Sequence, residues 1–321
     1  MPEKIPDSEK LVIKEKFVER YKALLGEHYD EFMDYSTSYI KKSIRVNTLK
    51  ADVDNIMQQL DKNWRLEQVP WCDEGFWIDH RGEGDEKRYD IGNVLEHILG
   101  QIYVQDAASM IPPIVLQPAP GELVLDMCAS PGSKTSQMAS MMDNKGLLLA
   151  NELQGERLKS LGLNLQRVGA RNVLVTQMPG HRFKDTGMEF DKVLVDAPCS
   201  GTGTIRRSFI TLKMWSPQLV RKMAAQQKQL AAAGFEALKS GGVLVYSTCT
   251  MEPEEDEGVV SWLLERYPDA ELDEIKLDIK RSPAFTEFGG EKYNPSVYRC
   301  LRIWPQDNDC EGFFVAKIRK R

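Results

Sequence analysis

The spacing of apolar and polar positions changes character part-way along the chain. Over the first 40 residues Leu11, Phe17, Val18, Tyr21 and Leu25 recur at helical intervals, so this stretch is expected to be helical. Ser43-Ile-Arg-Val-Asn-Thr-Leu49 then reads as a strand, 52–60 as a helix, and 66–71 and 76–78 as short strands. This β-α-β-β order predicts a small α+β module, which gives way from Gly92 to Gly100-Gln-Ile-Tyr-Val-Gln105.

From Glu122 onward the pattern becomes a regular alternation. Continuous apolar runs at 123–127, 146–150, 173–176, 192–195 and 243–246 predict buried strands, and 152–168 and the Ala-rich 217–239 predict helices. Ser216 is placed to cap the second helix, Pro217 to open it and Gly241-Gly242 to stop it. Buried strands separated by helices imply a parallel sheet covered on both faces. The stretches 299–304 and 313–318 predict a closing antiparallel pair. The fold class is therefore α/β, a doubly wound sheet with a smaller α+β module ahead of it. Residues 1–100 are read as the N-terminal helical and α+β region and 101–321 as the larger domain.

Composition narrows the function classes. The 321 residues, 42% hydrophobic and 28% charged, suit a globular chain. No apolar run approaches the roughly 20 residues of a membrane span. The charged residues 1–16 do not resemble a secretory signal, so the cytoplasm is the expected location. Cys72, Cys128, Cys199, Cys249, Cys300 and Cys310 form no CxxC pair and have no His at zinc-ligand spacing. Free thiols and no metal are expected. The net charge of −6 disfavours nucleic acid at first, but 157–239 carries fourteen Lys and Arg against five acids, and 252–287 twelve acids against four bases. A basic stretch inside an acidic protein can still form a phosphate-binding face.

Candidate chemistry begins at Leu123-Val-Leu-Asp-Met-Cys-Ala-Ser-Pro-Gly-Ser-Lys-Thr135. A buried strand ends in an acid, and a Pro-Gly turn opens a helix. In a doubly wound sheet this loop lies at the ligand-binding edge, and its helix start offers free N–H groups to an anion. Glu152, just past the second strand, is placed to accept from both hydroxyls of a ribose. Together these indicate an adenosine-containing cofactor. A phosphate-binding P-loop does not fit, because Lys134 does not follow a Gly and none stands five residues before Gly132.

Two later loops carry thiols. Val193-Leu-Val-Asp-Ala-Pro-Cys-Ser-Gly201 puts Asp196 and Cys199 after one strand, and Val243-Leu-Val-Tyr-Ser-Thr-Cys-Thr250 puts Cys249 after another. Both should open beside the cofactor. Methylation of a pyrimidine at C5 needs such a thiol, since a thiolate added to C6 turns C5 into a nucleophile. A base must later remove the C5 proton so that the sulfur can leave. The thiolate form requires a pKa below about 8.5, which Lys134 and a sulfonium would favour.

On these segments, with Tyr103-Val-Gln-Asp-Ala-Ala-Ser109, the sequence resembles the Nol/Nop/Sun family of S-adenosylmethionine-dependent RNA cytosine-5 methyltransferases over most of its length. The resemblance implies a Rossmann-like class I methyltransferase sheet behind an RNA-recognition-like module at residues 43–80. It implies that S-adenosyl-L-methionine is held by Cys128, Ala129, Ser130, Pro131, Gly132, Ser133, Lys134, Glu152 and Asp196. Cys249 would attack C6 and Cys199 would assist breakdown of the adduct. Lys134 and Asp196 would also face the base, Asp196 accepting from the amino group that marks cytosine. The pair of cysteine loops is specific, since DNA cytosine methyltransferases take their nucleophile from the earlier, Pro-Cys, loop. The expected partner is RNA, tRNA before rRNA because a compact chain suits a small substrate. No membrane and no obligate protein partner are inferred.

The sequence departs from the family pattern in three places. Ser130-Pro-Gly-Ser133-Lys replaces Ala-Pro-Gly-Gly-Lys. The acid that reads the adenine amino group is missing at or near Pro179, which leaves the backbone or Gln177. The chain ends soon after the catalytic fold, so no appended C-terminal RNA-binding module is expected. Arg206, Arg207, Lys213, Arg221 and Lys222 are expected to contact phosphates. Rival readings are a methyltransferase for DNA or another substrate, and a silent RNA-binding protein. Folding alone would not require Cys199, Cys249, Asp196 and Lys134, which disfavours silence.

Overall fold

A computed structural model of the chain describes residues 3–82 and 90–321. Helices α1 (Glu15–Leu25) and α2 (Tyr29–Ser36) precede β1 (Ser43–Val46), α3 (Val53–Leu60), β2 (Trp64–Gln68) and β3 (Gly75–His80). The short α4 (Leu95–Ile98) leads to β4 (Ile102–Val104) and α5 (Ile111–Leu116). Then follow β5 (Leu123–Asp126), α6 (Ser133–Met141), β6 (Leu147–Asn151), α7 (Gly155–Val168), β7 (Val173–Thr176), β8 (Phe190–Asp196), α8 (Ile210–Met214), α9 (Pro217–Glu236) and β9 (Leu238–Thr248). The tail holds α10 (Glu257–Arg266), β10 (Ala270–Asp273), β11 (Glu287–Phe288), β12 (Glu291–Lys292), β13 (Leu301–Ile303), α11 (Pro305–Asn308) and β14 (Phe313–Lys320).

The small module is an antiparallel sheet of order β2-β3-β1-β4. Alternate residues Ile44, Val46, Trp64, Phe76 and Ile78 face α3, whose Ile56 and Leu60 lie one helical turn apart. Asp52 caps that helix by accepting from Asn55 N. The second strand lies earlier than expected, because Val69, Trp71 and Cys72 leave the sheet to pack with Met110 and Ile111. Two sets of contacts cross the division expected after residue 100. Strand β4 pairs with β1, so the small sheet runs on to Val104. Helices α1 and α2 pack elsewhere, since Phe17, Tyr21 and Phe32 cluster with Ile205, Trp215, Met251 and Trp304 of the large domain. Amphipathic spacing shows which face is buried but not against what.

The large sheet has the order β10-β14-β9-β8-β5-β6-β7, with β13 on β14. Strands β5 to β9 pair in parallel, and β14 pairs antiparallel with β9, β10 and β13. One face packs Leu125, Val193 and Val195 against Leu230, Ala231 and Phe235 of α9, the other Val124, Leu148 and Leu194 against Met138 of α6. Coverage on both faces explains the uninterrupted apolar runs. The predicted α/β doubly wound class is observed. Strand order reverses at β5, which opens a crevice at the carboxyl ends of β5, β6 and β8. No described helix is long and apolar enough to cross a membrane.

Ser216 caps α9 through Leu219 N, as expected, but the helix ends at Glu236 and not at 239. Gly241-Gly242 stands inside β9. Gly241 has φ +80°, and the β8–β9 register shifts between Phe190 and Lys192, so the pair marks a bulge in the strand.

Candidate active site

The loop after β5 is shaped by close packing. Gly132 has φ +103°, and a Cβ there would stand 3.1 Å from Leu161. Helix α7 pins the loop from outside: Arg157 Nη2 donates to Ser130 O at 2.7 Å and Asn164 Nδ2 to Pro131 O at 2.9 Å. Ala129 N donates to Asn151 O at 2.8 Å. Below the loop, Asp126 Oδ2 accepts from Thr135 Oγ1 at 2.7 Å, while Oδ1 has no partner. Burial pushes the Asp126 carboxyl up to about 7 against that hydrogen bond. Burial, then Asp126 and Asp196, also raises the Cys128 thiol, which keeps it protonated and unreactive.

Glu152 directly follows the neighbouring strand β6. It is 3% exposed, and its Oε1 accepts from Gln154 N at 2.8 Å. That bond helps hold 152–154 out of the helix, so α7 begins at Gly155 and not at 152 as expected. Oε2 lies 3.2 Å from Arg157 Nη1 but accepts no hydrogen bond. Buried polar atoms are rarely left unsatisfied. Orphaned oxygens on Asp126 and Glu152, at the ends of adjacent strands, therefore fit a polar ligand in the crevice. Gln177 donates to Leu153 O at 3.4 Å, and Pro179 precedes a 3-10 turn, so no acid stands at that position.

The two thiols meet. Cys199 Sγ and Cys249 Sγ are 3.2 Å apart, although 50 residues separate them in sequence. Hydroxyls join their loops, Thr250 Oγ1 lying 2.7 Å from Ser200 Oγ and 2.9 Å from Thr202 Oγ1. Gly203 N donates to Cys249 O at 3.0 Å. Only glycine fits there, because a Cβ would stand 2.2 Å from Gly312 O and 2.8 Å from Cys249 O. The hydrogen bond to Cys249, followed by burial, raises the Cys199 thiol well above its ordinary value. Cys72, Cys300 and Cys310 are buried free thiols.

Lys134, from the start of α6, donates to Asp196 Oδ2 at 2.7 Å, and Ser247 Oγ donates to Asp196 Oδ1 at 2.8 Å. Burial, the largest single influence, lowers the Lys134 ammonium, but Asp196 together with Cys249 and Asp126 outweighs it and the net shift is upward. The Lys134–Asp196 pair thus stands on the same crevice as the thiols. Of the sequence-predicted site residues, the structure pairs Lys134 with Asp196 and Cys199 with Cys249, and Arg157 bridges Ser130 O and Glu152.

The phosphate-contact expectation needs correction at Arg206. Its side chain is fully buried and donates to Ser38 O, Tyr39 O and Asp309, so it ties the N-terminal segment to the tail. Lys213, Arg221 and Lys222 are exposed as expected. Arg207 is half-exposed and pairs with buried Asp106 and Glu311. Neither acid stood out as a site residue. Burial, then Asp106, pushes the Glu311 carboxyl up to about 8. Asp106 lay within the 103–109 segment, the one signal that could have found it.

Comparison with known proteins agrees with this geometry. The family model for 16S rRNA methyltransferase RsmB/F matches residues 113–319, and that for the N-terminal domain of 16S rRNA methyltransferase RsmF matches residues 13–107. A tRNA (cytosine(49)-C(5))-methyltransferase of Pyrococcus abyssi is 45% identical over 311 residues, 96% of this chain and 96% of that protein. A ribosomal RNA small subunit methyltransferase F of Shewanella amazonensis is 43% identical over 91% of this chain, which spans 60% of that protein's length. A solved methyltransferase homolog from Pyrococcus horikoshii matches with a TM-score of 0.86 at 36% identity, over 99% of this chain and 100% of that one. Matched across both its small module and its thiol-bearing sheet, the chain belongs to the RsmB/F methyltransferase family, the Nol/Nop/Sun group that its loops resemble.

Proposed function

We propose that this protein methylates carbon 5 of cytosine in RNA, with Cys249 as nucleophile and S-adenosylmethionine as donor. The observation that carries the proposal is the 3.2 Å thiol pair beside the Lys134–Asp196 ion pair, all on the ligand-binding edge of the sheet. The 128–134 loop and Glu152 would hold the donor, which when bound supplies an electrophilic methyl group.

The residues of the chain do the rest. Asp196 has lone pairs beyond those bound by Lys134 and Ser247, and it accepts from the exocyclic amino group that uracil lacks. Lys134 donates to the ring and draws electrons from C6. Cys249 adds to C6 as thiolate, and the displaced electron pair makes C5 nucleophilic. After C5 carries the methyl, its proton passes to Cys199 as thiolate, whose own proton has by then left to solvent, the C5–C6 double bond re-forms, and the bond from Cys249 Sγ to C6 breaks. The S···S contact suits this order. Once Cys249 is bonded to carbon it no longer holds the Cys199 proton, so the main cause of the raised Cys199 pKa disappears when a base is needed.

tRNA is the favoured substrate. The Pyrococcus abyssi relative, named for a tRNA cytosine, matches end to end, whereas the chain spans 60% of the Shewanella amazonensis rRNA enzyme. Incubation with labelled S-adenosylmethionine and a panel of tRNA, rRNA fragments and DNA tests this. Label as 5-methylcytosine in tRNA is expected. Label confined to DNA would overturn RNA as substrate, and label on rRNA alone would overturn tRNA.

Glu152→Ala should weaken donor binding without RNA present. Hydrogen bonds to a charged acceptor contribute about 1.5–3 kcal/mol, so a loss of roughly 10- to 100-fold is expected by calorimetry. An unchanged affinity would show that the ribose lies elsewhere.

A further inference from the structure

The backbone on either side of Cys199 is held by one buried pair of side chains, in addition to the hydroxyl bonds that join its loop to Thr250. Gln227, fully buried in α9, donates from Nε2 to Pro198 O at 2.9 Å and to Glu255 Oε2 at 2.8 Å. The same Glu255 oxygen accepts from Ser200 N at 3.0 Å. The residues on both sides of Cys199 are therefore bound to Glu255, one directly and one through Gln227. Tyr246 of β9 fixes the other end by donating to Glu255 O at 2.6 Å. Cys249 is tethered differently, through its own carbonyl and Gly203 N.

Stability alone does not explain Glu255. It is 0% exposed, its Oε1 has no hydrogen bond, and among the described residues no Lys or Arg pairs with it. A buried carboxyl without a cation is costly, and burial pushes this one up to about 7.

We propose that Glu255, with Gln227, is the positioning residue for Cys199, setting where its sulfur meets the C5 proton and so governing release of methylated RNA. This inference rests on the role given to Cys199 under Proposed function. The step balances within the site. The C5–H electrons re-form the C5–C6 double bond, the Sγ–C6 pair returns to Cys249, and the proton ends on Cys199. Proton transfer is sensitive to placement, and a displacement of about 1 Å can slow a step about 100-fold. Glu255 binds no atom of Cys249 directly and reaches its loop only through the Ser200–Thr250 hydroxyl bond, so addition of Cys249 should suffer less than elimination.

The test compares Glu255→Ala, Glu255→Gln and Cys199→Ala in the full chain, each incubated with S-adenosylmethionine and an RNA the wild type methylates. Glu255→Ala loses the acceptor for both tethers. Its turnover should fall about 10- to 100-fold, with a protein–RNA band surviving denaturing electrophoresis and the trapped RNA already methylated. Glu255→Gln keeps an acceptor oxygen and should restore most of the turnover and remove the band. Where Glu255→Ala does not fold, Gln227→Met removes both bonds of Gln227, and with them the Pro198 tether, while leaving Ser200 N on Glu255, and should show the same band more weakly. Slow turnover without a band in the folded variants, while Cys199→Ala shows one, overturns the positioning role. If Cys199→Ala itself shows no band, the role of Cys199 fails and this inference falls with it.

Discussion

Replacement of Cys249 by Ala is expected to abolish methylation, whereas replacement of Cys199 is expected to trap the enzyme on its RNA. Without a thiolate at C6, C5 never becomes nucleophilic, and loss of the nucleophile should lower the rate by roughly 10⁵-fold or more. In Cys199→Ala the sulfur of Cys249 can still add and the methyl can still be received. What is missing is the base 3.2 Å from that sulfur, so the adduct cannot eliminate. Electrophoresis under denaturing conditions should show a protein–RNA band for Cys199→Ala and none for the double variant. A band from Cys249→Ala and not from Cys199→Ala would reverse the two roles.

Arg302→Met is expected to be the most damaging change outside the site. The guanidinium is fully buried and donates to Glu257 Oε1 at 2.9 Å, Glu257 Oε2 at 2.6 Å, Asp256 Oδ2 at 2.8 Å and Met251 O at 3.1 Å. It joins β13 to the start of α10 and to the segment just after Cys249. Removing one partner of a buried ion pair costs about 3–5 kcal/mol, and here two carboxylates lose their cation together. A domain has only about 5–15 kcal/mol in total, so urea unfolding should show a variant close to collapse at neutral pH. The pH dependence has a definite sign. Burial already holds the Asp256 carboxyl well above its ordinary range, and Arg302 opposes that shift. Without Arg302 the folded-state pKa rises further, the folded state binds the proton more tightly than the unfolded, and the defect shrinks on acidification as this carboxyl takes up its proton. A defect that grows on acidification would show that the carboxylates do not need this cation.

Much of the fold was legible because buried parallel strands must be continuously apolar, which made 123–127 and 192–195 stand out, whereas 173–176, equally apolar and expected to be buried, is the edge strand β7 with Leu174 and Val175 exposed. The thiol loops were legible for the same reason, since each follows such a strand. Gly241-Gly242 misled because two glycines after a helix resemble a stop, whereas they sit in a bulged strand. Arg206 misled because sequence does not separate a solvated cation from one buried on backbone carbonyls. Glu255 and Gln227 were not legible at all. A buried polar residue interrupts an apolar pattern without showing what it holds, and its partners lie on loops about 28 residues or more away in sequence.

The central claim is that Cys249 forms the covalent bond to the pyrimidine ring. RNA carrying 5-fluorocytidine tests it in the unmodified protein, because the C5 fluorine cannot leave as a proton and elimination stops at the adduct. After incubation with S-adenosylmethionine, digestion and peptide mass spectrometry should place one methylated fluorocytidine on the peptide containing Cys249. The nucleoside found on the Cys199 peptide, or no covalent product from an RNA that is otherwise methylated, would contradict it.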